Sequence, residues 1–191
     1  MDTSVWWGLV ERARVAVGEA RAEDRDARDD PLPRALTDVL VPLGADGIVA
    51  FGVRRITVTD SAYHYPLWNA AYLIEGGCGD DGFMDFRDGL VLQGRAVFER
   101  AVADPDSLAD LPLVVRMSRG ESGWLGFESL NHLVREAYRE VRGETDTLDA
   151  ALTDALRGLD RPGRPTGDDW DAEDEEETRR RLPRLSGLFL L

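Results

Sequence analysis

Leu130, Leu133, Val134, Ala137, Tyr138 and Val141 recur at steps of three and four in a stretch whose other positions are largely charged or polar. That spacing gives a helix one continuous apolar stripe; a strand cannot reproduce it, because strand side chains alternate at every second residue. The pattern recurs along the chain. In TSVWWGLVERARVAVGEAR it puts Val5, Trp6, Leu9, Val10, Ala13 and Val17 on one face, with Thr3 or Ser4 placed to cap the start. AEDRDARDDP is charged and closed by Pro31, which reads as a fraying helix end and loop. LPRALTDVLVPL then makes a second helix through Leu36, Val39, Leu40 and Leu43.

From Gly47 to Tyr65 the signals conflict, because RITVT alternates like a strand. A lone strand with no partner cannot form a stable sheet, so helix is expected here. Pro66 opens PLWNAAYLIEGG, whose Leu67, Trp68, Ala71 and Ile74 form a buried face and whose Gly76 and Gly77 supply a stop at positive φ. Asp80 or Asp81 is then placed to cap one long helix running to Asp104-Pro105, with Phe83, Phe86, Leu90, Val97 and Ala101 inward. TLDAALTDALRGL adds a further helix. The fold class is all-α: a single helical domain of about seven to eight helices over 1–159, packed around the hairpin that the Gly76-Gly77 turn creates.

Residues 160–191 read as an acidic appendage: a proline-glycine linker, an acidic run, a short C-terminal helix and an apolar tail. Glu175, Glu176 and Glu177 stand four residues before Arg179, Arg180 and Arg181, the favourable order for helical ion pairs, and Leu182, Leu185, Leu188 and Phe189 are available to dock on the body.

A formal charge of -14 repels phosphates and argues against sequence-independent nucleic-acid binding. All 23 basic residues are arginine, so positive charge arrives only as a planar fork suited to carboxylates. One cysteine forms no internal disulfide, and the amino terminus has no basic region followed by an apolar stretch, so a cytoplasmic location is expected. No membrane span is expected either.

LWNAAYLIEGGCGDDGFMDFRDGLVLQGRAVFERAVADPDSLAD resembles the signature region of a bacterial family, domain of unknown function 4240 (DUF4240). The amino-terminal WWGLVERAR and the late EAYREVRGE extend the resemblance over most of Ser4 to Gly143. It implies a mainly helical single domain and carries no activity. The chain departs from the pattern at Gly79, usually serine, and at Gly89, usually tryptophan; the second change takes an apolar anchor from mid-helix.

Asp81, Asp85 and Asp88 stand at steps of four and three, which aligns three carboxylates on one helix face. A divalent cation needs oxygens converging from more than one element, so a solvated face is preferred over a metal site. Cys78 precedes a helix start, where a thiol can be activated, but Asp80 and Asp81 oppose that and a small buried thiol is preferred. Arg87, near Asp81 or Glu75, reads as an internal ion pair, or as an anion clamp together with Gln93 and Arg95 on the same helix. Glu128 and Glu136 are further carboxylates. Trp170, inside GDDWDAEDEEE, either anchors a basic partner or packs back on its own domain.

The reading is a non-catalytic binding or regulatory module that presents an acidic surface to a protein partner with a basic surface, with no cofactor. The alternative is a small hydrolase or transferase built on Asp81, Asp85 and Asp88 around a cation, with Arg87, or on Cys78 as nucleophile.

Overall fold

The computed structural model describes residues 1–18, 22, 30–128 and 130–190, and its regular elements there are all helical. In chain order these are α1 (Thr3–Val17), α2 (Leu32–Leu40), a 3-10 turn (Val41–Leu43), α3 (Gly44–Ser61), α4 (Tyr65–Glu75) and α5 (Asp80–Leu92). They are followed by α6 (Arg95–Ala103), a second 3-10 segment (Pro105–Asp110), α7 (Pro112–Ser118), α8 (Leu130–Arg142), α9 (Asp146–Leu156), α10 (Glu175–Arg181) and α11 (Pro183–Phe189). The charged stretch 23–29, read as a frayed helix end and loop, lies outside the described residues.

α1 is capped by Asp2, whose carboxylate accepts from the Ser4 amide at 2.8 Å, not by Thr3 or Ser4. Its stripe is rotated from the one expected. Trp6, Trp7, Leu9, Val10 and Ala13 are buried while Val5 is 57% exposed. Trp6 stacks on Phe51 of α3 with ring centres 5.2 Å apart and donates its indole N–H to the Phe51 carbonyl at 3.1 Å, which pins α1 to α3.

α3 settles the conflict in RITVT in favour of helix. Its β-branched threonines satisfy their hydroxyls within the helix: Thr57 Oγ1 donates to the Arg54 carbonyl and Thr59 Oγ1 to those of Arg55 and Ile56. Ile48, Phe51 and Val58 are buried against the neighbouring helices. Tertiary burial outweighs local propensity here. Within Leu32–Ser61 one 18-residue window has a mean hydropathy of 1.6, long and apolar enough by length and composition alone to cross a membrane. Gly44, at φ 68, breaks this run, and Leu32, Leu36, Leu40, Ile48 and Phe51 from both sides of the break are fully buried in the core.

The long helix expected from Asp80 to Ala103 is two helices, α5 and α6. Gly94 turns the chain at φ 95, where a Cβ would lie 2.8 Å from both Arg14 Nε and Glu11 Oε1. Those side chains make the break. Arg14 donates to the Leu92 carbonyl at 2.7 Å, and Glu11 accepts from the Arg95 amide at 2.9 Å, so α1 caps the end of α5 and the start of α6.

Residues 160–190 are built into the body. Trp170, Leu182 and Leu185 belong to the hydrophobic core. Asp106 is buried and accepts from the amides of Arg184 and Leu185 at 2.9–3.1 Å, which caps α11 from the second 3-10 segment. Asn69 donates to the Trp170 carbonyl at 2.9 Å, and Tyr63, Tyr65 and Thr166 exchange backbone hydrogen bonds across the start of α4. The acidic stretch is therefore a strap across α4. Within α10, Glu175 pairs with Arg179, and Glu177 with both Arg180 and Arg181.

Candidate functional site

Chemistry concentrates where α4 ends and α5 begins. Gly76 and Gly77 take φ 68 and 131, conformations that side-chain-bearing residues rarely adopt, and the reversal is closed by Trp68, whose indole N–H donates to the Cys78 carbonyl at 2.8 Å. Gly79 is the N-cap of α5 and provides no side-chain cap. Asp80 and Asp81 do not replace it. They are exposed in the first turn and act on the helix only through charge.

Beside this turn lies a cavity of about 310 Å³, lined by Ile74, Glu75, Gly77, Met117, Glu121, Gly123 and Trp124. Glu75 dominates it. Burial pushes its carboxyl up to about 7; the Trp124 indole N–H acts in the opposite sense and the charge of Asp85 adds to the rise. Glu75 Oε1 is buried with no hydrogen-bond partner among the described residues. Burial likewise drives the Cys78 thiol up to about 12, reinforced by the charges of Glu75 and Asp85, so this cysteine keeps its proton at neutral pH. Asp85 is raised by burial and by Glu128, Asp88 and Asp81.

The loop that carries Trp124 rests directly on α5. Phe127 donates its amide to the Asp85 carbonyl at 2.8 Å, and a Cβ on Gly89 would lie 1.8 Å from the Leu125 carbonyl oxygen. Gly89 stands where an apolar anchor is usual in the family pattern. Instead the backbone of Leu125 and Gly126 fills that space, and the missing side chain is what lets the loop approach.

The next residues of α5 face a second site. Asp88 is buried, and both its oxygens accept from the Arg55 guanidinium of α3; burial pushes its carboxyl up while Arg55 pulls it back down. It is thus neither a solvated residue nor part of a three-aspartate face. Asp81 is exposed, Asp85 lies toward Glu75 and Asp88 pairs inward, and no cluster able to hold a metal occurs among the described residues. Arg87 is buried. It donates to the carbonyls of Thr59 at 3.0 Å and Phe83 at 3.3 Å and lies over the rings of Tyr63 and Phe83, 4.8 and 5.0 Å from their centres. Among the described residues it forms no ion pair, with Asp81, Glu75 or any other carboxylate.

The remaining candidates lie elsewhere. Gln93 is buried at the C-cap of α5 and does not line the cavity at Glu75, and Arg95 pairs with Glu99. Trp170 is 9% exposed, donates to Thr178 Oγ1 at 3.2 Å and is covered by the Arg181 guanidinium, 4.7 Å from its ring centre, so it packs on its own domain. Sequence reasoning passed over Glu75 as a site of its own and did not single out Trp124 or Arg55. Glu75 carried a readable signal, an acid on the last turn of an apolar helix; Trp124 and Arg55 meet the site only through tertiary folding.

The DUF4240 family, described as proteins of unknown function, matches residues 1–140. No curated protein and no solved structure matches the chain.

Proposed function

Since the chain belongs to the DUF4240 family, whose function is unknown, we propose from its own side chains that it is a non-catalytic binding module for a basic protein partner. A lysine or arginine side chain of that partner enters the cavity beside the Gly76-Gly77 turn, its charge against Glu75 and Glu121 and its face or stem against Trp124. One observation carries this reading: at the wall of an open cavity the Trp124 indole N–H acts on the Glu75 carboxyl, yet its buried Oε1 has no hydrogen-bond partner among the described residues. Leaving such an acceptor unmatched costs free energy that an incoming N–H recovers. Trp124, 36% exposed, offers an indole face to a cation, an interaction worth about 0.5–2 kcal/mol.

The acidic strap, tied to α4 at Asn69 and Tyr72, adds further negative charge. Asp168, Asp169, Asp171, Glu173 and Asp174 are exposed around the buried Trp170, so their charge is held on a fixed frame and steers a basic partner toward the body. The lone cysteine supports placing the protein in the reducing cytoplasm.

The test is Trp124 fluorescence, read as the difference between wild type and Trp124→Phe, during titration with a short arginine-containing peptide and with its glutamate-containing counterpart at matched ionic strength. The arginine peptide gives a saturable change that Glu75→Gln weakens at least about tenfold, the order expected when a charge-assisted hydrogen bond is lost. Equal responses to both peptides, or an unchanged affinity in Glu75→Gln, defeats the proposal.

A further inference from the structure

A groove separate from the acidic cavity runs between α3, α5 and the chain at Arg161-Pro162, with two adjoining volumes of about 190 and 110 Å³ that share Asp60, Met84, Arg87 and Arg161. Three guanidiniums line it. Arg161 is engaged by both oxygens of Asp60, at 2.6 and 3.0 Å, and Arg55 by both oxygens of Asp88. Among the described residues Arg87 has no such partner, since the carboxylates that act on it most, Asp60 and Asp88, are already taken by its neighbours.

A guanidinium carries five N–H donors, and the protein uses Nε and one donor of a terminal nitrogen, on the carbonyls of Phe83 and Thr59. Two aromatic rings fix its plane. A buried cation in a chain rich in carboxylates would ordinarily be neutralised by one of them, because an unpaired buried charge is costly. Here the protein holds the fork rigid and leaves its remaining donors without an acceptor among the described residues. Asp60 and Asp88 act on Arg87 through charge but are spent on its neighbours, so the acceptor for these donors is expected from outside.

We infer that this groove binds the carboxylate of a small aliphatic monocarboxylic acid, with Arg87 as the residue that contacts the carboxylate and Met84 bordering the aliphatic part. The planar fork matches a carboxylate in bidentate geometry. A single negative charge is selected over a doubly charged phosphate because Asp60, Asp80 and Asp88 also line the groove and repel the second charge. Met84 is 53% exposed at the rim and gives the ligand apolar contact.

The experiment is a titration of the full chain followed by amide and methionine-methyl NMR, with butyrate, n-butylammonium and inorganic phosphate as separate probes at constant ionic strength. Butyrate is expected to give saturable shifts at Thr59, Met84 and Arg87, with n-butylammonium giving none there and phosphate binding more weakly. Arg87→Met, which keeps the stem against Tyr63 and Phe83, weakens butyrate at least about tenfold. Met84→Glu, a rim change outside the core, weakens it too and guards against loss of fold in the first variant. Affinity unchanged in both variants, phosphate binding as tightly as butyrate, or no saturable shift at all overturns the inference.

Discussion

The Glu75 carboxyl links stability to pH in a direction opposite to most acidic groups, and Glu75→Gln isolates the effect. An ordinary glutamate loses its proton near 4.5, whereas burial holds Glu75 up to about 7. Between those values the folded chain binds more protons than the unfolded one, so stability falls as pH rises through this window. The penalty is absent below the unfolded value and fully developed above about 7. Its upper bound is about 3.4 kcal/mol, and solvent screening of a carboxyl that is partly exposed reduces it to about 1–2 kcal/mol. Glutamine keeps the shape and cannot ionise. Glu75→Gln therefore matches wild type at pH 4.5 and exceeds it by about 1–2 kcal/mol at pH 8, which for a chain of this size raises Tm by about 2–8 °C. Thermal unfolding by circular dichroism across pH 4.5–8 measures this. A Tm difference that does not change with pH, or a variant less stable than wild type at pH 8, would refute the assignment of Glu75 as a desolvated acid. The same variant loses affinity for the arginine peptide, so stability and binding move in opposite senses, which general misfolding cannot produce.

Two further outcomes follow from the packing. Gly89→Ala tests which of two opposed effects wins, since alanine in mid-helix gains about 1 kcal/mol of propensity while its Cβ would lie 1.8 Å from the Leu125 carbonyl oxygen. The clash is with backbone, so a net loss of about 2–3 kcal/mol is expected in urea unfolding, and an unchanged or raised midpoint would contradict the loop placement. Asp106→Ala removes the acceptor for the Arg184 and Leu185 amides and costs about 1–2 kcal/mol. Amide exchange at Leu185 accelerates and the strap opens to protease in 160–167; exchange equal to wild type would show that α11 is held by apolar contacts alone.

The helices were legible wherever a stripe of apolar residues carried them, as in α8, and the helical assignment of α3 followed from the lack of any strand to pair with. What the sequence concealed is set by partners distant along the chain. The break at Gly94 depends on Glu11 and Arg14 of α1, and periodicity continues across it because α5 and α6 both bury apolar faces. The strap looked separable because charge dominates its composition, yet Trp170, Leu182 and Leu185 are enough to bring it into the core. At the site, Asp81, Asp85 and Asp88 share a spacing but not an environment. An α-helix delivers its successive side chains to whatever packs around it, and here α3 claims Asp88 while Glu75 and the loop at Glu128 surround Asp85.

Glu75, a half-buried acid at the end of α4, and Arg87, a buried cation on α5, flank the Gly76-Gly77 turn in sequence and are opposite in charge when both are ionised. A fold shaped for stability alone would pair them, since neutralising two buried charges relieves both desolvation penalties. This one keeps them apart. The groups acting on Glu75 are Trp124 and Asp85, and those acting on Arg87 are Asp60, Asp88, Tyr63 and Arg55. Trp68 stacks on Phe83 at 4.9 Å, its indole N–H holding the turn through Cys78 while Phe83 supports the plane of Arg87. Each group is satisfied only in part, Glu75 through the Trp124 indole and Arg87 through the carbonyls of Phe83 and Thr59, which leaves capacity for a ligand at both sites on the two proposals above. A cation at the first and a carboxylate at the second are the groups that would use it.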